Sequence, residues 1–140
     1  MKTYDYAFRF AKEDGGWVIT CHDLPEAISQ ADINEERIEV AEGCLQAAIE
    51  SRISDNESLP IASAPRRGEV KISLPAATAA KAALYDAMHE AGISKSELAH
   101  RLGVDEKEVR RMLDARHGTK LPRIAEAVAV LGRHLHIALA

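Results

Sequence analysis

The chain has 140 residues, enough for one medium domain or two small ones, with 29% charged residues, 4% aromatic residues and a net charge of −4. No stretch of about 18 apolar residues occurs, which excludes a membrane-spanning helix, and the opening MKTYDYAFRF lacks the apolar core of a secretory signal. Two cysteines, Cys21 and Cys44, are too few for a disulfide framework. Both sit in apolar patterns, so buried thiols and a reduced, cytoplasmic setting are expected.

Tyr4, Tyr6, Phe8 and Phe10 alternate with Asp5, Ala7 and Arg9. Period two with aromatics on one side predicts a strand. Lys12 to Gly16 is a turn, and Trp17, Ile19 and Cys21 then alternate with Val18, Thr20 and His22, which completes a hairpin. Pro25 cannot donate to a ladder and breaks this second strand. A short third strand is expected over Ala27 to Ala31. Asn34 is a good helix N-cap, and Ile33 with Ile38 could form a hydrophobic staple. Ile38, Ala41, Leu45, Ala48, Ile49 and Ile53 then share one helical face, and Ser54 to Asn56 with Pro60 end the helix. The predicted unit over residues 1–58 is therefore β-β-β-α.

Residues 59–68, LPIASAPRRG, show little apolar periodicity and read as a linker to a second domain over 69–140. Val70, Ile72 and Leu74 alternate and predict a short strand. Pro75 suits the first turn of a helix, where its missing N–H costs nothing. The Ala-rich helix runs to about Ala91, with Leu84, Ala87, Met88 and Ala91 inward, and stops at Gly92.

Ser94 to Asp114, SKSELAHRLGVDEKEVRRMLD, carries the densest set of signals. Ser94 and Glu97 have capping-box spacing, and so do Asp105 and Glu108. Leu98, Ala99 and Leu102 make the buried side of a first helix, and Val109 and Met112 that of a second. Small Ala99 permits close helix crossing, and Gly103 supplies a left-handed turn. This pattern predicts a helix-turn-helix, whose second helix, Glu106 to Leu113, lies in the major groove of DNA. Lys107, Arg110 and Arg111 on its outward face are the candidate base or phosphate contacts. Arginine fits best, because its fork matches O6 and N7 of guanine. Glu106 either accepts from a cytosine or steadies the helix N-terminus, and the second role is preferred. Arg116, His117 and Lys120 follow and are placed to reach phosphates. A fourth helix over Pro122 to Leu131 ends at Gly132, and His134 to Leu139 is strand-like. Two isolated strands flanking a helical unit must pair with each other or with a second copy.

Charge is unevenly divided. Residues 1–68 hold seven Lys/Arg against thirteen Asp/Glu, a net of −6, and residues 69–140 hold eleven against nine, a net of +2. The basic half suits nucleic acid. The acidic half suits a basic protein partner.

The order of these parts is recognisable. G-W-V-I-T-C-H-D-L-P (Gly16 to Pro25), the helix opening D-I-N-E-E-R-I, a Pro-containing linker and R-R-M-L-D-A-R-H-G-T-K-L (Arg110 to Leu121) together resemble the HicB antitoxins. The resemblance is to the branch with a C-terminal Xre-like helix-turn-helix and covers nearly the whole chain. It implies an α+β protein: an N-terminal domain like a reduced RNase H fold, and a mostly helical DNA-binding domain flanked by short strands. It further implies that the first domain neutralises HicA, a small basic ribonuclease toxin. The second would form a homodimer on the operator of its own operon, repressing it. The chain departs from the family at Glu26, where a glycine often follows D-L-P.

An RNase H-like sheet raises the possibility of two-metal catalysis, which requires converging carboxylates. Asp5, Asp23 and Asp32 are the candidates, but their spacing matches no such motif, and surface carboxylates that meet a basic partner are the simpler reading. His22 beside Asp23 has no accompanying nucleophile, and His134 with His136 alone does not make a zinc site. No enzyme activity, cofactor or metal is expected. The competing reading is a stand-alone transcriptional regulator whose first domain senses another ligand or protein.

Overall fold

The computed structural model describes all 140 residues and shows an α+β chain that divides into two compact units. One comprises residues 1–55 and 59–75, and the other residues 56–58 and 76–140. No helix is long and apolar enough to cross a membrane.

The first unit is a four-stranded antiparallel sheet in the order β3-β2-β1-β4, with one helix. β1 (Asp5–Glu13) and β2 (Gly16–Cys21) form the expected hairpin, with Phe8 opposite Cys21 and Phe10 opposite Ile19. β3 (Ile28–Asp32) adds to β2. Tyr6, Phe8, Ile19, Cys21 and Ala31 are buried on one face, as strict alternation requires. Helix α1 (Arg37–Ser54) packs on the sheet through Ala41, Leu45, Ala48 and Ile49.

Three details of this unit differ from the sequence reading. The helix is capped at Glu36, not Asn34. A turn after β3 takes up that segment: the Glu35 N–H donates to the Asp32 carbonyl (3.0 Å), and the Glu35 carboxylate accepts from the Asp32 N–H (3.0 Å). Ile33 and Ile38 are both exposed, so no staple forms there, and Ile53 is only half-buried. Trp17 is half-buried, with the Arg37 guanidinium 4.2 Å from its ring centroid, a cation–π arrangement.

The larger correction concerns residues 59–73. The expected linker is bound to the first unit by specific hydrogen bonds. Lys2 donates to the Leu59 carbonyl (2.8 Å) and the Tyr6 hydroxyl to the Pro60 carbonyl (2.7 Å). The Ser63 N–H and hydroxyl both donate to the Asp23 carboxylate (2.8 and 2.7 Å). The segment leads into β4 (Glu69–Ser73), which pairs antiparallel with β1, Tyr6 opposite Ile72. The strand assigned to the second domain therefore completes the first sheet, and the boundary falls between Pro75 and Ala76. β4 satisfies the free edge of β1, which a three-stranded sheet would have left open.

Gly16 is the glycine at which a side chain would meet neighbouring backbone. A Cβ there would lie 2.2 Å from the Ala31 carbonyl oxygen on the neighbouring strand. Backbone cannot yield as a flexible side chain can, so Gly16→Ala is expected to destabilise the unit by about 1–3 kcal/mol. Urea denaturation followed by Trp17 fluorescence checks this, and an unchanged midpoint would refute it.

The second unit is a four-helix assembly: α2 (Ala76–Ala91), α3 (Lys95–Leu102), α4 (Glu106–Leu113) and α5 (Leu121–Val130). α2 packs on α5 and α4, and α3 packs on α4 and α5. Leu84, Leu98, Val109, Met112, Ile124 and Ala127 are almost wholly buried. Ala91, expected inward, is exposed. His134 to Leu139 forms no strand; it pairs neither with Val70–Leu74 nor with anything else in the chain. The alternating pattern has no ladder partner within one copy, and Ile137 and Leu139 are left exposed. With the observed boundary the second unit holds ten Lys/Arg against nine Asp/Glu, a net of only +1, and the first stays acidic at −5.

Candidate nucleic-acid interface

The α3–α4 pair is built by local chemistry. Ser94 caps α3, its hydroxyl accepting from the Glu97 N–H (3.1 Å). Glu97 turns its own carboxylate to Arg101 (3.2 Å). Gly103 ends α3 with φ 67°, a conformation in which a side chain is strained. The Val104 N–H closes this end on the Ala99 carbonyl (3.0 Å). Asp105 caps α4 by accepting from the Lys107 N–H (3.0 Å), one residue short of the capping-box partner Glu108. Leu98 and Ala99 from α3 and Val109, Met112 and Leu113 from α4 are buried. This orients α4 and leaves its opposite face in solvent.

That face carries Lys107, Arg110 and Arg111, all exposed. Arg110 is held by Glu106 one turn back (3.0 Å), and Arg111 lies 3.7 Å from Glu108. Exposed helical pairs of this kind contribute little and exchange readily for another anion. Lys107 has no ion-pair partner and projects freely. Glu106, at the first turn, also complements the helix dipole.

The segment after α4 bends sharply. The Asp114 carboxylate accepts from the Arg116 N–H (2.9 Å) and from its guanidinium (3.2 Å). The Arg116 N–H, then its guanidinium, hold the Asp114 carboxyl below its ordinary value of 3.8. Arg116 is thereby drawn back over Asp114. Arg111 and Lys120 instead line one open cleft of about 320 Å³ with Glu108, His117, Gly118, Thr119 and Arg123. The six residues predicted from sequence thus fall into two sets: Glu106, Lys107 and Arg110 along the helix, and Arg111 and Lys120 at its C-terminal cleft, with Arg116 between them on the bend.

Two residues of this region escaped the sequence reading. Arg123, on the first turn of α5, was hidden by its apolar neighbours. Lys81 of α2 is almost wholly buried and reaches the end of α4. Its signal was a lone charge at an inward helical position, three residues before Leu84 and four before Tyr85.

The site residues sequence reasoning considered for catalysis do not converge. Asp23 is engaged with Ser63, and His22 lies against Arg66 (2.8 Å). Glu26, at the position where the family often has glycine, pairs through its carboxylate with Arg52 of α1, the second of the two hydrogen bonds being 2.9 Å. That guanidinium holds the Glu26 carboxyl below its ordinary value. Burial pushes the Cys21 thiol up, against the nucleophilic thiolate form.

Fold and site together define a two-unit α+β protein: an acidic sheet unit, and a helical unit that displays a cationic helix. The chain belongs to the HicB-like antitoxins of bacterial toxin–antitoxin systems, whose family pattern matches residues 3–83. Among its relatives, Antitoxin HicB 2 of Photorhabdus laumondii is 33% identical over 97% of this chain and 96% of its own length. Antitoxin HicB of Pseudomonas fluorescens is 32% identical over 94% of this chain and 91% of its own. Antitoxin HicB of Escherichia coli K12 is 30% identical over 90% of this chain and 91% of its own.

Proposed function

We propose that the chain is an antitoxin with two separate binding tasks. Its N-terminal unit neutralises a small basic HicA-type mRNA-cleaving toxin, and its C-terminal unit represses its own operon as a helix-turn-helix bound to operator DNA. The protein acts in the cytoplasm, by binding rather than by catalysis. The observation that carries the DNA half is the exposed cationic face of α4, set by a capped α3, a left-handed Gly103 and a buried seam of Leu98, Ala99, Val109 and Met112. The toxin half rests on the family and on the −5 charge of the sheet unit, which speeds encounter with a cationic nuclease.

In this reading α4 enters the major groove, with Lys107, Arg110 and Arg111 toward base edges. Glu106 releases Arg110 on binding and continues to steady the helix N-terminus. Arg116 and Lys120 meet the phosphates. One eight-residue helix reads few base pairs, so the protein acts as a homodimer, presenting two helices to half-sites about 34–36 Å apart or a multiple of that. The homodimer forms through the C-terminal unit. Residues 134–139, with Ile137 and Leu139 in solvent, supply apolar surface for it.

Fluorescence anisotropy with the chain's own promoter tests the DNA half. Arg110→Ala is expected to weaken specific binding by about 1–3 kcal/mol and to relax the preference at one base pair. Lys120→Ala is its control: it lowers affinity for all sequences alike and reduces the salt slope. Equal affinity of Arg110→Ala and wild type for the promoter would overturn the placement of α4. Co-expression with the adjacent reading frame tests the toxin half. A bound basic partner, toxic only without this chain, supports it. A promoter-binding dimer that retains no partner replaces it with a stand-alone regulator.

A further inference from the structure

Lys81 is the one lysine in the molecule that is almost wholly buried, 2% exposed, in the middle of α2. Its ammonium donates to the carbonyls of Arg111 (3.1 Å), Asp114 (2.5 Å) and His117 (2.6 Å), with the Thr119 hydroxyl at 3.4 Å. Three carbonyl acceptors need three protons, and only the ammonium form has three. Burial pulls its pKa below 10.5, and the negative charge of Asp114 opposes that shift. The acceptors are not scattered: Arg111 is in the last turn of α4, Asp114 is its C-cap, and His117 and Thr119 lie in the bend before α5. The last carbonyls of a helix have no partners within the helix, and a cation there also meets the negative end of its dipole.

The bend's other ties are local: the Asp114 carboxylate holds Arg116, and the Thr119 hydroxyl donates to the Arg111 carbonyl (3.4 Å). His117 and Thr119 are tied by short-range hydrogen bonds, the His117 N–H to the Asp114 carbonyl (3.1 Å) and the Thr119 N–H to the His117 carbonyl (3.0 Å). Arg116, His117, Gly118 and Lys120 are exposed. An apolar side chain at position 81 would leave at least three carbonyls without their shared donor.

We infer that Lys81 is a positioning residue for DNA binding: from inside the helical unit it pins the C-terminal end of α4 and the 114–119 bend, and so fixes where Arg111, Arg116 and Lys120 meet the duplex. It touches no DNA itself. The inference rests on the proposed DNA reading, and it gives an internal lysine control over the outer cationic surface.

The experiment compares wild type, Lys81→Met and Lys81→Gln as full-length chains, each verified as folded by circular dichroism at the assay temperature. Two readouts are taken: hydrogen exchange of residues 114–119, and promoter affinity as a function of salt. Both variants are expected to exchange faster at 114–119 while the amides of α3 stay protected. Promoter binding is expected to fall about tenfold, the equivalent of one charge-assisted hydrogen bond. The salt slope is expected to be shallower by about one for each phosphate that the displaced cations no longer reach. A lysine that served stability alone would leave affinity and slope unchanged in a folded variant, and that result overturns the inference. Unchanged exchange at 114–119 overturns it too. If Lys81→Met does not fold at the assay temperature, Lys81→Gln, which keeps an N–H donor, supplies the test. Wild type that fails to bind its promoter refutes the DNA reading instead, and the exchange data then judge the pin on its own.

Discussion

Leu98→Ala is expected to destabilise the helical unit by about 2–5 kcal/mol, the usual cost of emptying a leucine site in a core. α3 is only eight residues long and buries just Leu98 and Ala99, so Leu98 is its single large anchor. A small helical unit has only about 3–5 kcal/mol in reserve from one core. One substitution therefore consumes most of its stability. Hydrogen exchange is the measurement of choice, because it reports on each unit separately. Amides of α3 and α4 should lose protection, while those of β1 and β2 keep theirs. Under the proposed division of tasks, promoter repression is lost and toxin neutralisation persists. Loss of protection in both units at once would show that the two fold as a single cooperative block.

The converse holds for Ile49→Ala. Ile49 is fully buried in α1, on the face that also carries Leu45 and Ala48 against the sheet. Deleting its side chain leaves a cavity at the only helix of that unit, again at a cost of about 2–5 kcal/mol. Trp17, the single tryptophan, lies on β2 and serves as the probe. Its urea transition should move to lower concentration without a change in slope, the mark of reduced stability rather than altered compactness. Protection at α3 and α4 should be unaffected. Under the proposed division of tasks, the variant should fail to counter the toxin in cells at temperatures where it still represses the promoter. An Ile49→Ala protein with a wild-type Trp17 transition would mean that the α1–sheet packing does not govern this unit's stability.

The two units differ in how much of each the sequence made legible, and the difference lies in the range over which residues interact. The α3–α4 pair is specified by neighbours. Ser94 reaches three residues along, Gly103 turns on its own φ, and the apolar spacing repeats within one helix. Such signals survive in a linear reading. β4 was legible as a strand from Val70, Ile72 and Leu74, but its partner was not, because alternation says that a strand exists and not what it pairs with. Its partner β1 lies some sixty residues earlier in the chain. The segment before it resembled a linker because its attachments use backbone carbonyls and a serine, which carry no periodicity. At the candidate interface the cationic face of α4 followed from helical period. Lys81 did not, because a buried charge becomes meaningful only once its acceptors, thirty or more residues away, are known.

The junction at Pro75–Ala76 also bears on how such a protein can be recombined. The last strand of the sheet unit stops at Ser73 and α2 starts at Ala76, so almost no chain separates the two modules. A graft that exchanged the helical module at residues 59–68 would amputate an edge strand and expose the flank of β1. One made after Pro75 keeps β4 with the sheet and transfers α2 to α5, leaving behind residues 56–58 of the helical unit, where the Glu57 carbonyl accepts from the Tyr85 hydroxyl (2.7 Å). For this chain, the seam at which one module can be exchanged while the sheet stays closed is the two residues Leu74 and Pro75.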